Sequence, residues 1–143
     1  MSKRSMRVAD ARVGQQLPPL NIPVTVTSVA AAAIATRDYQ PVHHDIERAR
    51  ALGSETVFTS THTATGYLEW LVLAWAGPGA FLRSLKLRLG VPNYAGDTLH
   101  LQGQVTAVDI ALGRVHVEAI GSNSRGQHVT AELVVQLKGD GGE

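Results

Sequence analysis

The sequence predicts an α+β domain, and three observations carry that prediction. Four long segments in the C-terminal half alternate apolar and polar residues with a period of two. A stretch from Thr61 to Ala76 is apolar on nearly every side of a helix. Clusters of Gly, Asn, Asp and Pro fall between these segments, where turns are needed.

The strands are the plainest part. Leu85, Leu87 and Leu89 alternate with Ser84, Lys86 and Arg88. Leu99, Leu101, Gly103, Val105 and Ala107 alternate with Thr98, His100, Gln102, Gln104 and Thr106. Val115, Val117 and Ala119 alternate with Arg114, His116 and Glu118. Val129, Ala131, Leu133, Val135 and Leu137 do the same, with Val134 the exception. Alternation of this length marks strands with one buried and one wet face, which are antiparallel as a rule. The breaks at 90–97, 109–113 and 121–127 lead us to expect a meander of four consecutive strands.

The long helix precedes them. Ala64, Tyr67, Leu68, Leu71, Val72 and Trp75 follow the i, i+3, i+4, i+7 series, while Gly66, Trp70 and Leu73 make the other side apolar too. Such a helix is expected to be buried on nearly all sides, wrapped by a curved sheet. Gly77 and Pro78 end it. Upstream we expect a first strand at 22–27 and a helix opening at Thr27 or Ser28 that runs through Ala30 to Ala35. A second short helix at 45–52 is closed by Gly53. The domain is expected to span 14–138, after a flexible start at 1–13 and before a flexible tail at 139–143.

With 143 residues, 13 basic and 12 acidic side chains and a net charge of +1, the chain suits one soluble domain and shows no basic patch that suggests nucleic acid. No cysteine is present, so disulfides and thiol chemistry are excluded. Lys3, Arg4 and Arg7 are not followed by the apolar stretch of a signal peptide. The most apolar run, at 67–76, is far short of the roughly 20 residues that span a bilayer. A cytoplasmic location is expected.

Function is concentrated in Asp38-Tyr39-Gln40-Pro41-Val42-His43. Pro41 fixes its own φ and biases Gln40 toward an extended conformation, so the chain leaves the preceding helix here. A carboxylate and an imidazole on one stiff loop can converge on a water molecule, as general acid–base chemistry requires. Taken alone, the six residues fit equally well an Asp38 that caps and a His43 that is an ordinary loop residue.

The wider pattern resembles the MaoC-like, R-specific enoyl-CoA hydratase branch of the hotdog fold. The family motif is Gly-Asp-x-Asn-Pro-aliphatic-His with a small residue six positions after the His. Asp38, Pro41, Val42, His43 and Ala49 match it, whereas Arg37 stands in place of Gly and Gln40 in place of Asn. Arg88, then Pro92-Asn93-Tyr94-Ala95-Gly96-Asp97-Thr98-Leu99, resembles the family's strand, Pro-aromatic turn and Gly-Asp-Thr-Leu re-entry. Within the family, 35–45, Trp75-Ala76-Gly77-Pro78 and 87–92 are similar to the small MaoC-like subunit of actinobacterial steroid side-chain hydratases.

The resemblance implies a hotdog fold and hydration of a trans-2-enoyl-CoA to a (3R)-hydroxyacyl-CoA, with a cholesterol-type side chain as the acyl group. It implies Asp38 and His43 as the catalytic pair, with Arg37, Gln40 and Pro41 supporting the loop. Arg37, beside Asp38, is expected to favour its ionised form. The family's His-Gly pair at the helix start is replaced by Thr59-Ser60-Thr61-His62, so the Thr61 N–H is the expected oxyanion donor. His62, Arg88 and Tyr94 are candidate substrate or CoA contacts. No metal or redox cofactor is implied, and CoA enters with the substrate. Partners would be a second copy or a second MaoC-like hotdog chain. Two other functions remain open: a hotdog thioesterase, for which Glu69 is the only acid on the central helix, and a non-catalytic subunit.

Several residues also have plainer readings. Metal ligation by His43, His44 and Asp45 is disfavoured because adjacent residues point apart. His100, His116 and His128 lie on the polar phase of their strands and are expected to be solvated. Trp70 and Trp75 read as core or subunit interface, Arg83, Lys86 and Arg88 as a solvated sheet face, and Tyr94 as turn packing.

Overall fold

The computed structural model describes residues 5–138; the expected tail at 139–143 and the first four residues lie outside them. The chain runs β1 (Leu20–Pro23), α1 (Val26–Ala35), a 3-10 turn (Pro41–His43), α2 (Ile46–Ala51), α3 (Thr61–Ala76), then β2 (Phe81–Leu89), β3 (Thr98–Asp109), β4 (Arg114–Asn123) and β5 (Gly126–Gln136). Residues 5–13 differ from a loose start. Met6 N–H donates to the Ala76 carbonyl, and Val8 and Ala11 are buried in the core.

The five strands form one antiparallel sheet in the order β1-β3-β4-β5-β2. Only β3, β4 and β5 make the expected meander. β2 lies at the far edge beside β5, with Leu85 opposite Leu133 and Leu87 opposite Ala131. The reason is the 90–97 connection. Instead of turning back as a hairpin it pairs with the segment before α3, where Phe58 bridges Tyr94, and so carries the chain across to β1. Alternation specifies a strand's inner face and is silent about its neighbour.

The inner face holds Leu99, Leu101, Val105, Val115, Val117, Leu133 and Val135, all nearly inaccessible, against Leu68, Leu71 and Val72 of α3. Gly103 permits this contact: a Cβ there would lie 3.2 Å from both Leu17 Cδ2 and Leu71 Cδ2. Beyond it the alternation slips at a bulge between Val105 and Ala107, so Ala107, expected inside, is exposed.

Helix α3 has the expected bounds, with Ser60 as N-cap and Gly77, at φ +86°, as C-cap. Its burial is less complete than its composition suggests. His62, Gly66, Glu69 and Trp70 form an open stripe, and Trp70 is 52% exposed. Between α1 and α3, the Tyr67 phenol is hydrogen-bonded to Ser28, and burial raises its pKa.

Candidate active site

Helix α1 delivers Asp38. The helix stops at Thr36 with two reversed bonds, Asp38 N–H to the Ala33 carbonyl (2.8 Å) and Arg37 N–H to the Ile34 carbonyl (3.1 Å). This is a Schellman cap, which needs a left-handed residue after the helix end. Arg37 supplies it at φ +57°, the one non-glycine residue with positive φ among those described. The family's Gly is thus a conformational requirement that Arg37 meets under strain. Asp38 Oδ2 faces His43, and no salt bridge from Arg37 to Asp38 is found among the described residues.

Pro41 places His43. It occupies the first position of the 3-10 turn, where a missing N–H is harmless, and Gln40 before it is extended at ψ 129°. Proline therefore opens a single helical turn here rather than forbidding one. Gln40 also points its N–H at Asp38 Oδ1 (3.4 Å). Ala49 is fully buried on α2, in the motif's small-residue position.

The two candidate side chains meet. His43 Nε2 lies 3.5 Å from Asp38 Oδ2, with the side chains 9% and 22% exposed. On its other side, His43 Nδ1 is 2.7 Å from the Phe58 carbonyl oxygen. A carbonyl can only accept, so Nδ1 carries a proton and proton exchange is left to Nε2. When the ring is neutral, Nε2 and Oδ2 are two acceptors facing one space, which suits a molecule that donates to both, as water does.

Phe58 ties this pair to the start of α3. Its N–H donates to the Val42 carbonyl (3.2 Å), its ring meets His43 edge-on at 5.1 Å, and it lies three residues before Thr61. At the helix start, Ser60 Oγ accepts from Thr63 N–H. Among the described residues neither the Thr61 nor the His62 N–H has an acceptor, and both side chains are exposed.

Other candidates lie elsewhere. Tyr94 packs edge-on against Phe58 at 5.9 Å and under the Arg125 guanidinium at 4.8 Å, one ring removed from His43. Arg125 is also paired with Glu55, whose hydrogen bond raises its pKa. Arg88 sits opposite Thr130 on the outer face of the sheet, where with Lys86, Glu118 and Glu132 it lines an open groove of about 670 Å³, away from α3. His44 Nε2 contacts the Tyr39 carbonyl, and Asp45 caps α2 through Arg48 N–H. Among the described residues no three His, Asp or Glu side chains are grouped to hold a metal ion.

Sequence reasoning missed Phe58, whose contribution is a carbonyl that any residue could offer, and the buried Asn93 and Asn123, whose partners are remote in sequence. It also misplaced His128, which is 4% exposed. The histidine is covered by the turn after β2: Gly90 N–H donates to its carbonyl, and its Nδ1 bonds the Val91 carbonyl at 2.6 Å. Burial pushes its pKa below the ordinary value.

Comparison with known proteins places the chain among relatives. A relative from Mycobacterium tuberculosis, a 3-oxo-4,17-pregnadiene-20-carboxyl-CoA hydratase beta subunit, is 44% identical over 126 residues, covering 88% of this chain and 96% of the relative. A chain of the ChsH1-ChsH2 complex from Mycobacterium tuberculosis superposes with a TM-score of 0.85 at 43% identity, covering 89% of this chain and 98% of that one. The (R)-hydratase from A. caviae involved in PHA biosynthesis gives 0.80 at 25% identity, covering 90% and 98%. These neighbours share the hotdog arrangement of a helix wrapped by an antiparallel sheet. The family model described as MaoC like domain matches residues 9–125, and the chain belongs to that family.

Proposed function

We propose that the chain is the catalytic subunit of an enoyl-CoA hydratase, adding water to a trans-2-enoyl-CoA to give a (3R)-hydroxyacyl-CoA, with a steroid side chain as the acyl group. The observation that carries this reading is the 3.5 Å approach of Asp38 Oδ2 and His43 Nε2, with His43 Nδ1 committed to Phe58. A water that donates to both groups loses one proton as its oxygen bonds the β-carbon. The α-carbon gains a proton from the same side, and the double bond is consumed. His43 exchanges protons only at Nε2, because Nδ1 is engaged.

Charge that builds on the thioester oxygen is met by the Thr61 and His62 N–H groups, at the positive end of the 16-residue α3. Losing one such donor costs on the order of 10²–10³ in rate in comparable sites. No resident cofactor enters these steps; CoA arrives with the substrate, and a cytoplasmic setting suits it. No described helix is long and apolar enough to cross a membrane.

The 44% identical hydratase beta subunit supports the steroid substrate by its printed activity. The complex and the open α3 stripe around Trp70 favour assembly with a second hotdog chain over a solitary protomer. The thioesterase reading is disfavoured because Glu69 is exposed and lies eight residues, roughly 12 Å, along α3 from Thr61. Retention of both Asp38 and His43 argues against a non-catalytic subunit.

Asp38→Asn and His43→Ala, assayed on enoyl-CoA thioesters with the partner chain present, should each lower hydration by about 10²–10⁴-fold while circular dichroism stays native. Full activity in either variant refutes the reading. CoA release detected with a thiol reagent would instead identify a thioesterase, since hydration leaves the thioester intact.

A further inference from the structure

The Asp38–His43 pair and the free amides of α3 both depend on one short backbone pairing. Segment 57–59 lies against segment 92–95. Thr59 N–H donates to the Asn93 carbonyl (3.1 Å), Ala95 N–H donates to the Val57 carbonyl (3.0 Å), and Phe58 bridges Tyr94. From the first segment, Phe58 gives the carbonyl that fixes His43, and Thr59 leads through Ser60 into the α3 N-terminus. The second segment is therefore a plate against which both halves of the site are registered.

A side chain at the end of β4 holds the plate from behind. Asn123 ends β4, some 30 residues on in sequence, and is 9% exposed. Its Nδ2 donates to the Pro92 carbonyl (3.0 Å) and to Asn93 Oδ1 (3.2 Å), and its Oδ1 accepts from Arg125 N–H (2.9 Å). Asn93 is fully buried. A primary carboxamide alone offers two donors and an acceptor at this length. Aspartate would keep the shape but set an anion against two acceptor oxygens. Alanine would leave the buried Asn93 Oδ1 unpaired and remove the bond to the Pro92 carbonyl. Asp97 pins the same turn independently, since its carboxylate accepts from Ser124 Oγ (2.5 Å) and from Thr98 N–H (2.8 Å).

We propose that Asn123 is a positioning residue for hydration, acting through Asn93 and the 57–59 segment on His43 and the α3 amides together. This rests on the hydratase reading for its effect on rate, but its effect on His43 geometry does not.

The test compares Asn123→Ala and Asn123→Asp with Val108→Ala, a half-buried control at the far end of β3. Each is made in the full chain, with its partner chain where assembly requires one. Readouts are kcat and KM on crotonyl-CoA, the pH profile of kcat/KM, and the ¹H–¹⁵N imidazole resonance of His43 Nδ1–H. In both Asn123 variants kcat should fall about 10-fold or more, towards the ~10²-fold that a 1 Å misplacement can cost. KM should stay within about 2-fold, as expected when only transition-state interactions are lost. The pH profile and the His43 resonance should also shift. Val108→Ala, at a similar loss of Tm, should keep all four. A folded Asn123 variant with wild-type kcat and an unmoved resonance overturns the proposal, and if Asn123→Ala does not fold, Asn123→Asp decides. Should the wild type hydrate no enoyl-CoA, the hydratase reading fails, while the resonance in the Asn123 variants still decides the positioning claim.

Discussion

Arg37 is one of two residues at which this chain departs from the motif it resembles, and it keeps the left-handed backbone conformation that glycine adopts more easily. A left-handed residue after α1 lets the Ala33 carbonyl reach Asp38 N–H, which aims the carboxylate at His43. For an L-residue that conformation costs about 1–2 kcal/mol, partly offset because glycine would make the unfolded chain more flexible by roughly 0.5–1 kcal/mol. Arg37→Gly should therefore raise stability by about 0.5–1 kcal/mol, seen in thermal melts as a Tm increase of ~2–3 °C. A lower Tm would mean that the Arg37 side chain contributes more than its backbone costs. The motif residues Asp38, Pro41 and His43 were legible because side-chain chemistry and proline geometry are written in the letters. Phe58 was not, since a carbonyl acceptor has no letter of its own.

Among the elements, α3 belongs to the core and, in the proposed reading, also supports catalysis. Its inner side packs on the sheet, and its first turn, with free amides, follows closely on Phe58, whose carbonyl bonds His43. Ser60 joins the two roles, because its hydroxyl satisfies Thr63 N–H while leaving the Thr61 and His62 amides open. Ser60→Ala should cost about 1 kcal/mol of stability, measurable by urea denaturation. It should also lower hydration, because the frayed first turn no longer presents its amides in register; unchanged stability and rate would remove Ser60 from this account. Helix α1 opens at Val26 behind the Thr25 cap rather than at Thr27 or Ser28, α2 is Ile46–Ala51 rather than 45–52, and β1 lies at Leu20–Pro23 rather than 22–27. The bounds of α3, by contrast, were readable to the residue from caps and periodicity. Strand order was not: β2 carries the same alternation whether it lies beside β3 or β5, and the choice is made by the 92–95 segment pairing with 57–59.

For the molecule as a whole, His128 couples folding to pH. Burial lowers its pKa below the reference value of 6.5, with the hydrogen bond to Val91 opposing, and no partner among the described residues reaches its Nε2. The unfolded chain therefore binds the proton more readily than the folded one, and stability rises with pH across this window. The contribution is fully present above about pH 6.5 and is lost as pH falls toward the lower folded-state value. Thermal melts between about pH 7.5 and 5.5 should show Tm falling on acidification, with a shallower fall in His128→Gln. An identical slope in that variant would assign the pH dependence to other groups. The polar phase of β5 marked this histidine as solvated; what buries it is a turn some forty residues earlier in the chain.

The two tryptophans sit five residues apart on one helix in opposite surroundings, Trp75 at 6% exposure and Trp70 at 52%. One indole is held in an apolar, slowly relaxing medium and the other in mobile solvent. The protein's ultraviolet emission is therefore a sum of a shielded, bluer component and a redder one open to collisional quenchers. Anything that comes to rest on the stripe along α3 alters only the second, so the chain carries its own optical gauge of whether that face is covered.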